Sequence, residues 1–306
     1  MARVLITGGA GYQGLKLAEA LLERGHAVTV LDSFLYGSAP ALFLFRYPKV
    51  GFVRKDIRSL DEADVRDHDC VYHLAALSGF PACEANPHSS RTINVEGTAR
   101  LLAALSRQQL LVYASTTSLY GRSGTGCTEE SPITPTSLYA ATKYEAEQRC
   151  LERENSVALR FATIFGVAPR MRWDLLPNEF TMRAVQERVL VLFDSRSVRT
   201  FLHIEDAVLG YLMALDQPGR MVGRVFNVGC EAMNLSKLQL ARKIREQVEF
   251  SIVDSDVPDL DVRSFVVNFD RITALGFKPR KSLEEGIAEL VKLFRFHRPF
   301  QAYRVV

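Results

Sequence analysis

Ser115-Thr116-Thr117-Ser118 sets four hydroxyls side by side, and further along the chain Tyr139 precedes Lys143 by four residues. Four residues is about one helical turn, so the phenol and the ammonium share a helix face. A phenol has a pKa of about 10 and is a poor base at neutral pH. An ammonium close by stabilises the phenolate and lowers that value, which makes the pair suited to taking a proton from a substrate hydroxyl. Spacing alone is not diagnostic, because Tyr12 and Lys16 repeat it. What sets Tyr139 apart is the hydroxyl cluster shortly upstream and the elements around it.

Those elements begin at the start of the chain. Val4-Leu5-Ile6 reads as a buried strand. It runs into Gly8, Gly11 and Gly14, after which Leu15, Ala18, Leu21 and Leu22 recur at helical spacing until Gly25. A second strand, Ala27 to Leu31, closes on Asp32. A helix N-terminus offers unpaired N–H groups and the positive end of a dipole, so it attracts a pyrophosphate. Glycine lets the backbone come close to that phosphate, and an acid at the end of the second strand accepts from both hydroxyls of an adenosine ribose while repelling a 2′-phosphate. Strand, glycine turn, helix, strand and acid in this order point to a bound dinucleotide, NAD rather than NADP. The ammonium of Lys143 could then also bond the nicotinamide ribose.

Further strands are expected at 51–54, 69–76, 110–114 and 157–161, with an irregular crossover at 33–49 and a long helix from Pro87 to Gln109. Asp56 stands either at an adenine amino group or as a helix cap. His73, inside an apolar run, reads better as a core histidine than as a catalytic one. Asn94 either makes a polar contact beneath the cofactor or lies on the surface. Ala75 and Ala76 are small enough for a flat cofactor to lie against the strand end. Residues 121–137 form a loop over the same edge, with Cys127 incidental, and a helix starts near Tyr139. The hydroxyl cluster falls at the end of a parallel strand, where such sheets bind ligands. Beyond Gly166 the alternation fades: helices are expected at about 175–187, 235–247, 270–275 and 283–296, and strands at 189–193 and 225–228. The fold class is α/β, a doubly wound parallel sheet with a smaller mixed α/β domain. Residues 1–166, with a returning segment at about 198–230, make the first domain, and 167–197 with 231–306 the second.

At 306 residues with a net charge of +3, the chain can bury a large core and shows no basic run for a nucleic-acid partner. No apolar stretch approaches the roughly 18 residues that span a membrane. The first residues enter a strand directly, leaving no room for a signal peptide. The five cysteines have no metal-ligand spacing, so reduced thiols in a cytoplasm are expected and no metal site. The tail from His297 to Val306, with Phe300 and Tyr303, receives no role.

Taken as an ordered set, Thr7 to Gly14, His73 to Ala76, Asn94 to Thr98, Ser115 to Gly121, Tyr139 to Lys143, Arg160 to Gly166, Arg199 to Asp206 and Leu275 to Pro279 closely resemble the extended short-chain dehydrogenase/reductase family. These are the NAD-dependent nucleotide-sugar epimerases and dehydratases. The resemblance implies Tyr139 as catalytic base, Lys143 as its partner and Thr116 as the hydroxyl that orients Tyr139 and the sugar O4. It implies NAD contacts at Gly8, Gly11, Tyr12, Gln13, Gly14, Asp32, Asp56, Ile57, Leu74, Ala75 and Ala76, shared with Tyr139 and Lys143. It implies substrate contacts at Thr116, Thr117, Thr163, Arg199 and Arg263, the two arginines gripping the diphosphate.

Two departures bear on the reaction. Thr117 and Ser118 stand where dehydrating members carry Asp-Glu, and without a carboxyl acid to protonate a departing O6 hydroxyl, 4,6-dehydration is disfavoured. Thr163 occupies a position that is often Asn. The run Pro169 to Leu176 is similar to a subgroup acting on nucleotide-linked hexoses and heptoses. The reading is a UDP-glucose 4-epimerase-like enzyme acting through a 4-keto sugar. A C4 dehydrogenase or 4-keto reductase is the alternative, and a dinucleotide-sensing regulator a third. A homodimer through helices 87–109 and 139–154 follows by analogy.

Overall fold

The computed structural model describes residues 1–123 and 126–299, so Phe300 and Tyr303 lie outside it. Strands run β1 (Arg3–Thr7), β2 (Ala27–Asp32), β3 (Val50–Arg54), β4 (Cys70–His73), β5 (Leu110–Thr116), β6 (Ser156–Phe161), β7 (Thr163–Phe165), β8 (Val189–Phe193), β9 (Val198–His203), β10 (Arg224–Val228), β11 (Asn234–Ser236) and β12 (Ser251–Ser255). Seven of them form one parallel sheet in the order β10-β6-β5-β4-β1-β2-β3. Every residue of β5 and β6 is buried, which is why both read as mostly apolar runs without alternation, Arg160 being buried in its pair with Glu147. The chain order reverses between β1 and β4, and it is at such a switch point, outside the carboxyl ends of the strands, that ligands bind.

The second half threads through two small sheets, β11-β9-β7 and β12-β8. Its own core joins Phe165, Trp173, Phe201, Leu240, Ile287 and Phe294 beneath helices Leu176–Gln186, Lys237–Arg245 and Leu283–Phe296. Of the segment 198–230, β10 enters the large sheet beside β6, whereas β9 pairs with β7 and β11 in the small one.

Several elements differ from the sequence expectation. The crossover at 33–49 contains 3₁₀ turns at Ala39–Arg46. The helix from Pro87 is broken by a π-helical turn at Thr92–Glu96, resumes at Gly97–Ala104, and stops short of Gln109. Gln109 instead ties the following loop, donating to the carbonyls of Val65 (2.6 Å) and His68 (2.8 Å). Helix Ile204–Asp216 carries no clear periodic signal because it is apolar nearly all round, packed between helix Tyr12–Glu23 and β6. The helices expected at 235–247 and 270–275 shorten to Lys237–Arg245 and Asp270–Thr273.

Candidate active site

One cavity of about 590 Å³ runs along the carboxyl ends of the large sheet and reaches into the second half of the chain. At one end lies the glycine turn. Gly8 takes φ +70°, a conformation that costs glycine little, and a Cβ there would sit 2.6 Å from the Ala75 nitrogen. A Cβ on Gly14 would fall 2.6 Å from the Gly8 carbonyl oxygen, so the third glycine lets helix Tyr12–Glu23 start hard against the turn. Gly11 caps that helix without any side-chain hydrogen bond, leaving the first-turn N–H groups to the cavity. Asp32 is fixed by two backbone donors, Ala10 N (3.0 Å) and Phe34 N (2.8 Å), and burial raises its pKa. Tyr12 lines the cavity too, but its hydroxyl donates to the Gly166 carbonyl (2.7 Å), and Gln13 accepts from Tyr211 (2.7 Å). Leu74, Ala75, Ala76 and Ile57 complete the wall. Small glycines, an uncapped helix start and an anchored acid form a cradle that fits a dinucleotide.

Asp56 lines the cavity and also takes the capping role: it accepts from Arg58 N (2.8 Å) and pairs with the Arg58 guanidinium, which holds its carboxyl below the usual range. His73 is a core residue. Thr98 donates its hydroxyl proton to the Asn94 carbonyl (2.6 Å), so His73 Nε2 must donate to Thr98, leaving Nδ1 to accept from Thr7 (2.7 Å). Burial pulls its pKa down to about 3, and the ring stays neutral. Asn94 is buried and makes the polar contact: its carboxamide bonds both the N–H (2.8 Å) and the carbonyl (3.0 Å) of Leu77, and donates to Thr142 (3.1 Å).

The middle of the cavity holds the hydroxyl cluster and the phenol. Ser137 caps helix Leu138–Leu151 by accepting from Ala140 N, which places Tyr139 in the first turn and Lys143 one turn on. The Tyr139 phenol shares the cavity with the side chains of Thr116 and Ser78, near enough for both to pull its pKa down. Ser78 had no signal in the sequence beyond its place just after the fourth strand. Burial raises the phenol's pKa, opposed by Ser78, Arg172 and Thr116, so it stands above the ordinary value and not below it as the Tyr139/Lys143 spacing predicts. Lys143 is 3% exposed, and its ammonium lies 4.1 Å from the centre of the Tyr113 ring. Burial pulls its pKa down to about 8. Behind them Glu147, on the same face, accepts from Ser115 (2.5 Å) and pairs with Arg160 (2.6 Å), both buried. This welds the helix to β5 and β6. Arg172 pairs with Asp174 (2.7 Å) beside Ser78.

The far end holds Arg199 and Arg263 together. Both reach Asp261, Arg263 through Nε (2.6 Å) and Arg199 through Nη2 (3.4 Å), and Arg263 also donates to the Ser118 hydroxyl. Burial pulls Arg199 down to about 10, and the two guanidinium groups hold the Asp261 carboxyl far below the usual range. Lys237 pairs with Asp259 on the same wall. Asp261, Asp259 and Lys237 carried no recognisable spacing in the sequence. Thr163 lines the cavity, but Thr117 does not: it opens the 3₁₀ turn Thr117–Tyr120 and donates to the Phe161 carbonyl (3.2 Å), back toward the sheet. Ser118 stands at the wall in its place.

Among the described residues no helix is long and apolar enough to cross a membrane. The sequence matches the NAD dependent epimerase/dehydratase family over residues 4–229. It is 31% identical over 245 residues to a Bacillus subtilis (strain 168) protein named an uncharacterized UDP-glucose epimerase, covering 74% of this chain and 76% of the relative. It is 31% identical over 323 residues to the dTDP-glucose 4,6-dehydratase of Streptomyces niveus, covering 97% and 94%. Among solved structures, the UDP-glucuronic acid 4-epimerase of Bacillus cereus, in complex with UDP-glucuronic acid and NAD, superposes with a TM-score of 0.82 at 27% identity, covering 96% of this chain and 99% of that one. Sheet order, glycine turn and the match along most of its length agree: the chain belongs to the NAD dependent epimerase/dehydratase family, enzymes that modify nucleotide sugars.

Proposed function

We propose that this chain is an NAD-dependent nucleotide-sugar 4-epimerase that works by transient oxidation at sugar C4. The observation that carries the reading is that the Tyr139 phenol, with Thr116 and Ser78 near it, lines the same cavity as the glycine turn and the Arg199/Arg263 pair. Bound NAD supplies a hydride acceptor at its nicotinamide ring. Tyr139 takes the O4 proton, Thr116 orients the phenol and O4, and Lys143 holds the cofactor ribose and offers charge to the phenolate. Arg199 and Arg263 grip the diphosphate. The 1–166 half with its returning segment carries the cofactor, and the remainder the nucleotide sugar. A sugar that must turn within the site cannot be held tightly, so most binding energy belongs on the nucleotide diphosphate.

The two positions after Thr116 support epimerisation over dehydration. Thr117 is turned into the sheet and Ser118 is bonded to Arg263, so neither offers an acid for a leaving hydroxyl. Relatives named as a UDP-glucose epimerase and a UDP-glucuronate 4-epimerase support the same reaction. The test incubates the protein with a panel of nucleotide sugars in D2O and follows them by NMR, together with NADH absorbance. Inversion at C4 with no solvent deuterium and no accumulated NADH is expected. NADH formed in step with sugar converted overturns the reading in favour of a C4 dehydrogenase. Assembly as a homodimer through the segment 87–104 and helix 138–151 belongs to the same proposal, and sedimentation at micromolar concentration showing only monomer removes it.

A further inference from the structure

Arg170 is 8% exposed and lines the cavity, yet its guanidinium makes no hydrogen bond or ion pair with any described residue. Its guanidinium carbon lies 4.1 Å from the centre of the Tyr36 ring. Asp32 and Asp174 are near enough to be felt electrostatically, but neither makes a direct contact with the guanidinium, and both already have partners of their own. Asp32 has one oxygen on Ala10 N and the other on Phe34 N, and Asp174 spends both oxygens on Arg172. A mostly buried guanidinium with no carboxylate in contact, open only to the cavity, is well placed to be matched by an anion that enters from outside the chain.

The position says which anion. Arg170 stands over Tyr36 in the loop that follows β2, within electrostatic reach of Asp32, in the same cavity that takes in the uncapped start of helix Tyr12–Glu23. The cations facing the opposite end, Arg199 and Arg263, already have Asp261. Arg172, next along the chain but one, is likewise matched by Asp174.

We propose that Arg170 is the counter-cation of the dinucleotide's pyrophosphate, closing on it from the second half of the chain while the glycine turn and helix start hold it from the first. It donates to the phosphate oxygens with its planar fork, and Tyr36 beneath it keeps the fork in place. The cofactor is then gripped by both halves and leaves slowly, which suits an enzyme whose hydride must return to the same sugar. This inference rests on the NAD-dependent reading of the site.

The test compares wild type with Arg170→Met and Arg170→Lys. NAD content is measured in the protein as purified, and the release rate by a chase with isotopically labelled NAD. Affinities for ADP-ribose, adenosine, NADP and UDP are then measured by titration and competition. Arg170→Met is expected to weaken NAD and ADP-ribose about 10- to 100-fold and to speed release in proportion, with adenosine and UDP unchanged. Arg170→Lys is expected to recover part of the loss, and it carries the comparison if the Met variant does not fold. Unchanged NAD affinity in a folded variant overturns the proposal. So does an equal loss for adenosine, which would make Arg170 a prop for the Tyr36 loop. A loss confined to UDP, or to NADP, overturns it as well by moving the anion to the sugar diphosphate or the 2′-phosphate. If wild type itself binds neither NAD nor ADP-ribose, the cofactor reading falls and this inference with it, an outcome distinct from all the others.

Discussion

The two ends of the cavity treat buried positive charge in opposite ways. At the sugar-nucleotide end Arg199 and Arg263 share Asp261, and Lys237 has Asp259. At the cofactor end and the centre, Arg170 and Lys143 lie against the rings of Tyr36 and Tyr113, with carboxylates nearby but none in direct contact among the described residues. A cation with an internal carboxylate is stable while empty, and an incoming anion must displace its partner. A cation without one raises the energy of the empty protein and is relieved on binding. The difference suits a cofactor that stays and a substrate that comes and goes.

The largest effect is expected where the two ends meet. Tyr139→Phe should lower turnover about 10²- to 10⁴-fold and leave NAD affinity unchanged, checked by steady-state rates beside NAD titration. Arg199→Met should cost about 3 kcal/mol of stability because it strips a buried pair, and UDP affinity should fall as well; denaturant unfolding and calorimetry read the two. If Arg199→Met leaves stability intact, the contrast between the ends is lost.

Lys143→Met should behave in the opposite sense. The folded-state pKa of about 8 lies below the ordinary value of roughly 10.4, so the penalty for the buried ammonium is fully present below pH 8 and disappears as pH rises toward 10.4. The cofactor-free variant should therefore be more stable than wild type at pH 7, by about 2 kcal/mol, with the gap closing between pH 8 and 10.4. A variant less stable than wild type at pH 7 would break the comparison. The smallest effect belongs to Asp261→Asn. Removing the internal anion should tighten UDP binding about three- to tenfold, since the diphosphate no longer competes with it. Weaker UDP binding would mean that Asp261 builds the site instead of occupying it.

Legibility in the sequence follows the same division. Gly8, Gly11, Gly14, Asp32, Tyr139 and Lys143 could be read because their spacing within single elements encodes their geometry. Ser78, Arg170, Arg172, Asp259 and Asp261 could not, because they meet the cavity from loops whose paths are set by tertiary packing. The burial of Thr117 came from the 3₁₀ turn at Thr117–Tyr120 that follows β5, which a run of four similar hydroxyls conceals. Helix Ile204–Asp216 was hidden by its apolar surface on all sides. The π-helical turn at Thr92–Glu96 was hidden too, because an extra residue per turn leaves composition unchanged.

That turn brings Asn94 to a place where one carboxamide clasps the Leu77 backbone and reaches Thr142. Leu77 precedes Ser78, and Thr142 precedes Lys143. A single amide thus couples the loop bearing one partner of the phenol to the helix bearing the phenol itself. Any loosening there would be felt first as blurred aim at the reacting hydroxyl, with the scaffold still intact around it.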